Sequence, residues 1–138
     1  MRVSRKLSVR MLMLAILGIA IGLAVIRWND PAVRYRRTGE ADAFYAVLKS
    51  QIKNGDSIDK VSRLLGVGSL VTDPKVHAYF VSYALRTPSE NPQGARDTDR
   101  FSTWKTTEWN ITLQFRDGHL INHQPAIYPL GAATVLSR

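Results

Sequence analysis

The residues able to do chemistry are few, and their spacing argues against a reaction centre. The chain has three histidines, His77, His119 and His123. His119 and His123 stand four apart on what reads as a strand, which puts them on one face roughly 13 Å from each other. That is too far to share a metal ion. No His-Glu-x-x-His pairing occurs. Gly66-Val67-Gly68-Ser69 has neither the spacing of a nucleophile elbow nor the Gly-Lys-Ser/Thr ending of a phosphate loop. The acids are scattered, and Asp97 and Asp99 fall in a polar stretch expected to be a loop. There is no cysteine. Disulfides, thiolate catalysis, cysteine-ligated metal and a lipidated-cysteine anchor are therefore excluded. The expectation is no catalytic residue, no cofactor and no metal. Asn110-Ile111-Thr112 is formally a glycosylation sequon, but it lies mid-strand.

Binding residues are the better prospect. Tyr79, Phe80, Tyr83, Trp104 and Trp109 read mainly as core and cross-strand aromatics. Trp104, expected at a loop edge, is the candidate for an exposed binding aromatic. Thr112, Gln114 and Arg116 are the candidates for a polar face that receives a partner. These residues need a sheet to position them. Trp109, Ile111, Leu113 and Phe115 alternate with Asn110, Thr112, Gln114 and Arg116. One apolar and one polar face predict an antiparallel sheet covered on one side only. Asp117-Gly118 is a hairpin turn, and His119 to His123 returns as a further strand. Val76 to Arg86, rich in β-branched and aromatic residues, reads as the first strand. Thr87 to Thr103, with Pro88, Pro92 and Gly94, reads as a long mobile loop. Pro125 and Pro129 make the tail an edge or an irregular segment.

Charge is distributed unevenly. Up to Arg37 there are eight Lys/Arg against one acid, and from Thr38 onward eleven against ten, within a total of +8. A nucleic-acid role wants its basic residues on the folded domain, so nucleic acid is not an expected partner. The cations instead flank Met11 to Ile26, 16 residues without a charge. Trp28 follows as an interfacial anchor. This reads as an uncleaved signal anchor, with membrane lipid as a partner through residues 11–26 and their basic flanks. A cleaved signal peptide, with small residues at Gly22 and Ala24, is the rival. The denser basic cluster of Arg2, Arg5, Lys6 and Arg10 places the N-terminus inside and the remainder outside.

Two helices are expected between anchor and sheet. Thr38 caps the first, over about 40–52, with Phe44, Val47, Leu48 and Ile52 on one face. Asp56 caps the second, which Gly66 ends; Ile58, Val61, Leu64 and Leu65 form its apolar face. Eight residues are too few for a stable isolated helix, so this one needs a partner surface.

Ile52-Lys53-Asn54-Gly55, the Val-x-x-Leu-Leu-Gly ending of Asp56 to Gly66, and Ile111-Thr112-Leu113-Gln114-Phe115-Arg116-Asp117-Gly118-His119-Leu120 together resemble the small outer-membrane-protein assembly lipoproteins of the SmpA/OmlA (BamE-like) family. The resemblance covers about residues 38–124. It departs in the missing lipid-bearing cysteine, in Val67-Gly68-Ser69 where a proline often follows Leu-Leu-Gly, and in the long loop. It implies an α+β fold with two helices on a three-stranded antiparallel sheet, in the order α-α-β-β-β.

The expected organisation is a basic N-terminus and transmembrane helix over 1–28, a basic linker over 29–37, and a BamE-like α+β domain over 38–138 with its long loop at 87–103. The expected function is a membrane-anchored bacterial envelope protein, not an enzyme, that binds or scaffolds an envelope protein. A secreted binding or inhibitor protein and an unrecognised hydrolase are the alternatives.

Overall fold

A computed structural model of the chain describes residues 5–89, 91–122 and 126–129. Helix α1 (Arg5–Trp28) carries the apolar run. Its segment Val9–Trp28 spans 20 residues at a mean hydropathy of 2.5, and none of it is buried. By length and composition it can cross a bilayer, and a signal sequence meets the same description.

The stretch 29–37, expected as a linker, is folded. Asp30 accepts the Ala32 amide at 2.9 Å, Pro31 takes the first helical position, and α2 (Pro31–Thr38) follows. Gly39, in the left-handed conformation at φ +70°, closes it. Ala32 and Tyr35, three apart, are buried. The arginines dominate this segment's composition, and they conceal its two core positions. Thr38 therefore ends α2 rather than capping the next helix. α3 (Ala41–Ser50) follows Glu40 at its N-cap and buries Phe44, Val47 and Leu48, with Ile52 just beyond.

Helix α4 (Ile58–Leu65) is capped by Ser57, whose Oγ accepts the Lys60 amide at 3.2 Å. Asp56, the expected cap, instead accepts the Lys53 amide at 2.9 Å and the Lys60 ammonium at 2.8 Å, closing the turn before the helix. Val61 and Leu65 are fully in the core; Ile58 and Leu64 pack at its margin.

The largest departure from expectation is at Val76 to Arg86. This segment is helix α5 (Pro74–Arg86), not a strand. Asp73 accepts the Lys75 amide at 2.8 Å and Pro74 opens the first turn. Phe80 and Ala84, four apart, form the buried face. Composition favoured a strand, but β propensity is a packing preference that tertiary context overrides.

The sheet is antiparallel throughout. β1 (Ser69–Leu70) pairs β2 (Arg100–Lys105), which pairs β3 (Trp109–Arg116). The far edge of β3 is shared by β4 (His119–Leu120) and β5 (Ala126–Pro129). Five strand segments thus fill four lateral positions where three strands were expected. The loop expected over 87–103 ends at Asp99, since Phe101, Thr103 and Trp104 lie in β2. Asp117 and Gly118 both have positive φ, at 50° and 79°, as the expected tight hairpin turn requires. β5 bears out the edge reading at Pro129. His123, Pro125 and the tail beyond Pro129 lie outside the described residues, as does Arg2.

Ile111, Leu113 and Phe115 of β3 join Trp104 and Leu120 to face α2, α3 and α4 in one core. The opposite face of the sheet is covered as well. Phe80 stacks on Phe101 at 5.3 Å between ring centroids, and His77 meets the same ring edge-on. Helices therefore pack on both faces of the sheet, α5 over only part of the second, rather than on one face alone.

Candidate functional site

The polar face of β3 is where a site has to be sought, and its upper half is closed. From Thr87 the chain returns across this face and folds on itself. The Asn91 amide donates to Thr87 O, Gly94 to Asn91 O, and Asp99 to Arg96 O. Gln114 is the hub beneath it. Its Oε1 accepts Asn91 Nδ2 at 2.6 Å, and its Nε2 donates to Asp99 Oδ2 at 2.7 Å and to Gly94 O at 3.1 Å. Arg116 grips Asp99 with two bonds, Nε to Oδ1 at 2.8 Å and Nη2 to Oδ2 at 2.9 Å. The segment expected to be mobile is thus held by a network of buried polar groups.

Asp99 is the centre of that network, with its carboxylate removed from solvent. Burial pushes its pKa up. The Arg116 guanidinium, the Arg96 amide and the Gln114 amide together outweigh that and hold it below the usual carboxylate range. The Arg116 pKa is raised in turn by its bonds to Asp99. The carboxylate is shielded from solvent and accepts four hydrogen bonds from Arg96, Gln114 and Arg116, so its work here is to fasten the loop.

Below this network the polar face is open. A cleft of about 410 Å³ lies between the sheet and the first turns of α5. Thr103, Thr112, Asn110 and Lys105 line it from the sheet, and Leu70, Val71, Val76 and Phe80 are among its apolar walls. The volume is within the range of small-molecule and side-chain pockets. Thr103 and Thr112, directly paired across β2 and β3, share a hydroxyl–hydroxyl bond of 2.9 Å in the cleft. Lys105 takes part in none of the three ion pairs among the described residues. It brings a positive charge to the rim of a largely apolar hollow.

The four binding candidates are not brought together. Trp104 is in the core on the opposite face, 3% exposed, and its Nε1 donates to Gly66 O at 2.9 Å. It sits within a strand whose inward positions face the helices, so it is no loop-edge aromatic. Gln114, 1% exposed, is committed to the loop network. Arg116 is committed to Asp99. Thr112 alone lines the cleft. Val76 and Phe80 of its α5 wall read as a strand and Thr103 as the end of the loop, so the cleft does not show in the sequence. The Asp73-Pro74 pair, a cap followed by proline, was the signal that could have located the α5 wall.

The two described histidines have structural partners. His77 Nε2 is 2.8 Å from Asp99 O, and His119 Nδ1 is 2.9 Å from Asp117 O. Among the described residues, no group of three His, Cys, Asp or Glu side chains is placed to hold a metal ion.

Comparison with family models, with curated proteins and with solved structures returns no match to this chain.

Proposed function

We propose that this chain is a membrane-anchored, non-catalytic binding module of a bacterial cell envelope. Its partner is an envelope protein that inserts an apolar side chain into the cleft between α5 and the sheet. The cleft carries the proposal. It joins an apolar hollow to a few convergent polar groups, which is the ordinary composition of a binding site. The polar groups in it favour binding over catalysis. The two threonine hydroxyls bond each other, and Asp73 is engaged in capping α5. The 20-residue apolar segment of α1 supports the anchor, with membrane lipid and the basic flanks as its surroundings. The extracytoplasmic side is proposed from the density of basic residues before that segment. The likeness to the SmpA/OmlA (BamE-like) proteins belongs to the same reading. It rests on the short helix ending at Leu65-Gly66 and on the hairpin at Asp117-Gly118.

Capture from detergent-solubilised envelope tests the proposal. A partner held by the cleft is recovered with the native chain and lost with Leu70→Arg, which places a charge at the cleft wall. It is retained by Val67→Arg, a change at a residue 92% exposed and outside the cleft. Recovery of the same proteins by both variants, or of the chain alone, would sink the cleft reading. Membrane fractionation with N-terminal sequencing tests the anchor. A soluble form beginning near Val25 would replace it with a secreted binding protein.

A further inference from the structure

The joint between α1 and the folded domain is short and clamped, and this has a consequence for where the domain can be. Only Asn29 and Asp30 separate the two helices. Two residues span at most about 7 Å when fully extended, and these are not extended. The Asn29 amide donates to Val25 O at 3.1 Å and the Asp30 amide to Arg27 O at 3.4 Å, so the joint continues the hydrogen bonding of α1.

On the far side, α2 is fixed to the domain by several independent contacts. Asp30 Oδ1 accepts Gln51 Nε2 at 3.0 Å, tying the joint to the end of α3. Ala32 and Tyr35 are buried in the core, and Tyr35 Oη donates to Lys105 O at 2.8 Å. Arg36 donates to Arg63 O at 2.7 Å, reaching the end of α4. Across the joint, the Arg37 guanidinium lies 4.3 Å from the centre of the Trp28 ring. Trp28 is the last residue of α1 and is mostly exposed.

We infer that the α1–α2 joint is a fixed mount that holds the folded domain against the bilayer α1 crosses, with the arginines of α2 among anionic lipid head groups. This inference rests on the anchor proposed above. Arg34, Arg36 and Arg37 are exposed on α2, and Arg27 precedes the joint. The acids beside them are Asp30 and Glu40, and Glu40 pairs with Arg34 at 2.7 Å. The balance of these six side chains is positive. A cationic surface within one Debye length of an anionic bilayer is attracted to it. Arginine suits this place because its fork donates to phosphate in two directions. An arginine stacked on an interfacial tryptophan places charge and aromatic ring at the same depth.

The two parts of the inference separate experimentally. The chain has no cysteine, so Thr38→Cys supplies a single site for a fluorophore at the end of α2. The labelled full-length chain is reconstituted in vesicles of phosphatidylcholine, or of about 7:3 phosphatidylcholine to phosphatidylserine. A nitroxide on the lipid head groups quenches the label at short range. Carbonate extraction reports insertion in every sample.

The native-length chain should be quenched about twofold or more in both lipids, and equally at 0.1 M and 1 M salt, where the Debye length falls from about 10 Å to about 3 Å. A covalent mount does not respond to screening. A second chain carries about 12 Gly/Ser residues between Asn29 and Asp30, enough to let the domain drift about 20 Å. It should be quenched only with phosphatidylserine present, only at the lower salt, and not after Arg36→Gln with Arg37→Gln. An inserted native-length chain whose label escapes quenching overturns the mount, while the anchor stands. Quenching of the extended chain that ignores lipid charge and the two arginines overturns the head-group contact. A chain that washes out of the vesicles overturns the anchor, and the mount with it.

Discussion

Arg116→Met tests the account of the polar face at its tightest point. The substitution keeps the aliphatic stem and removes the guanidinium that makes two bonds to Asp99, at 2.8 and 2.9 Å. Each charge-assisted bond contributes about 1.5–3 kcal/mol net. Stripping one partner from a buried ion pair costs about 3–5 kcal/mol when the remaining charge is left alone. Here Asp99 keeps Gln114 Nε2 at 2.7 Å and the Arg96 amide at 2.9 Å. The carboxylate is depleted but not orphaned, so the expected loss is about 2–4 kcal/mol.

Urea unfolding of the full chain in detergent measures the loss, and hydrogen exchange localises it. Amides of residues 91–99 should exchange faster in the variant, while those pairing β2 with β3 change only by the global loss. The pH profile adds a second readout. The Asp99 pKa is below its ordinary value of 3.8 in the folded chain. Its contribution is therefore fully present above pH 3.8 and is lost as pH falls through the lower, folded value. Without Arg116, burial still pushes the carboxyl up and less opposes it, so the folded pKa moves toward the unfolded one and the acid-dependent loss shrinks or disappears. Arg116→Lys, which keeps charge but loses the fork, should fall between the two. A loss below about 0.5 kcal/mol for Arg116→Met, with loop exchange unchanged, would show that the network does not hold the loop.

Three further outcomes follow from packing. Leu65→Ala should cost about 2–5 kcal/mol and Leu64→Ala clearly less, because only Leu65 is fully buried; equal losses by urea unfolding would contradict the orientation of α4. Gly68→Ala brings a methyl to 2.7 Å from the Trp104 ring, and a displacement of that kind costs about 1–3 kcal/mol with a shift in tryptophan emission. An unshifted spectrum at full stability would show that β1 approaches β2 less closely than described. Gly118→Val forces a β-branched residue to φ +79°, at a cost of about 1–3 kcal/mol, and a neutral result would remove the tight turn.

Several features were legible because they depend on neighbours in the chain. The apolar run of α1 needs only uncharged residues in succession. The faces of α3 and α4 follow from spacings of three and four. The β3 strand shows as strict alternation, and Asp117-Gly118 as a pair able to adopt positive φ. These signals are local, and the structure retains each of them.

Local signals do not carry which surface each segment meets. Ala32 and Tyr35 lie among arginines, and only contact with α3 and Lys105 makes them core. Tyr79, Phe80 and Tyr83 suit a strand as well as a helix, and the choice is made by Phe80 stacking on Phe101. Gln114 and Arg116 look solvent-facing in an alternating strand. They are covered because a loop more than ten residues distant brings Asp99 and Asn91 onto them. Trp104 reads as a loop-edge residue, and its pairing opposite Ile111 turns it inward.

The division has one physical reason. Period, capping and turn conformation are set by backbone geometry within a few residues, so the amino-acid order determined them alone: an apolar span, two short helices, an alternating strand and a tight turn. Burial and polar pairing are set by residues far apart in the chain. Tertiary structure therefore decided that the basic segment after the apolar helix is part of the core, that the aromatic run is a helix, and that the sheet's polar face is half latched and half open.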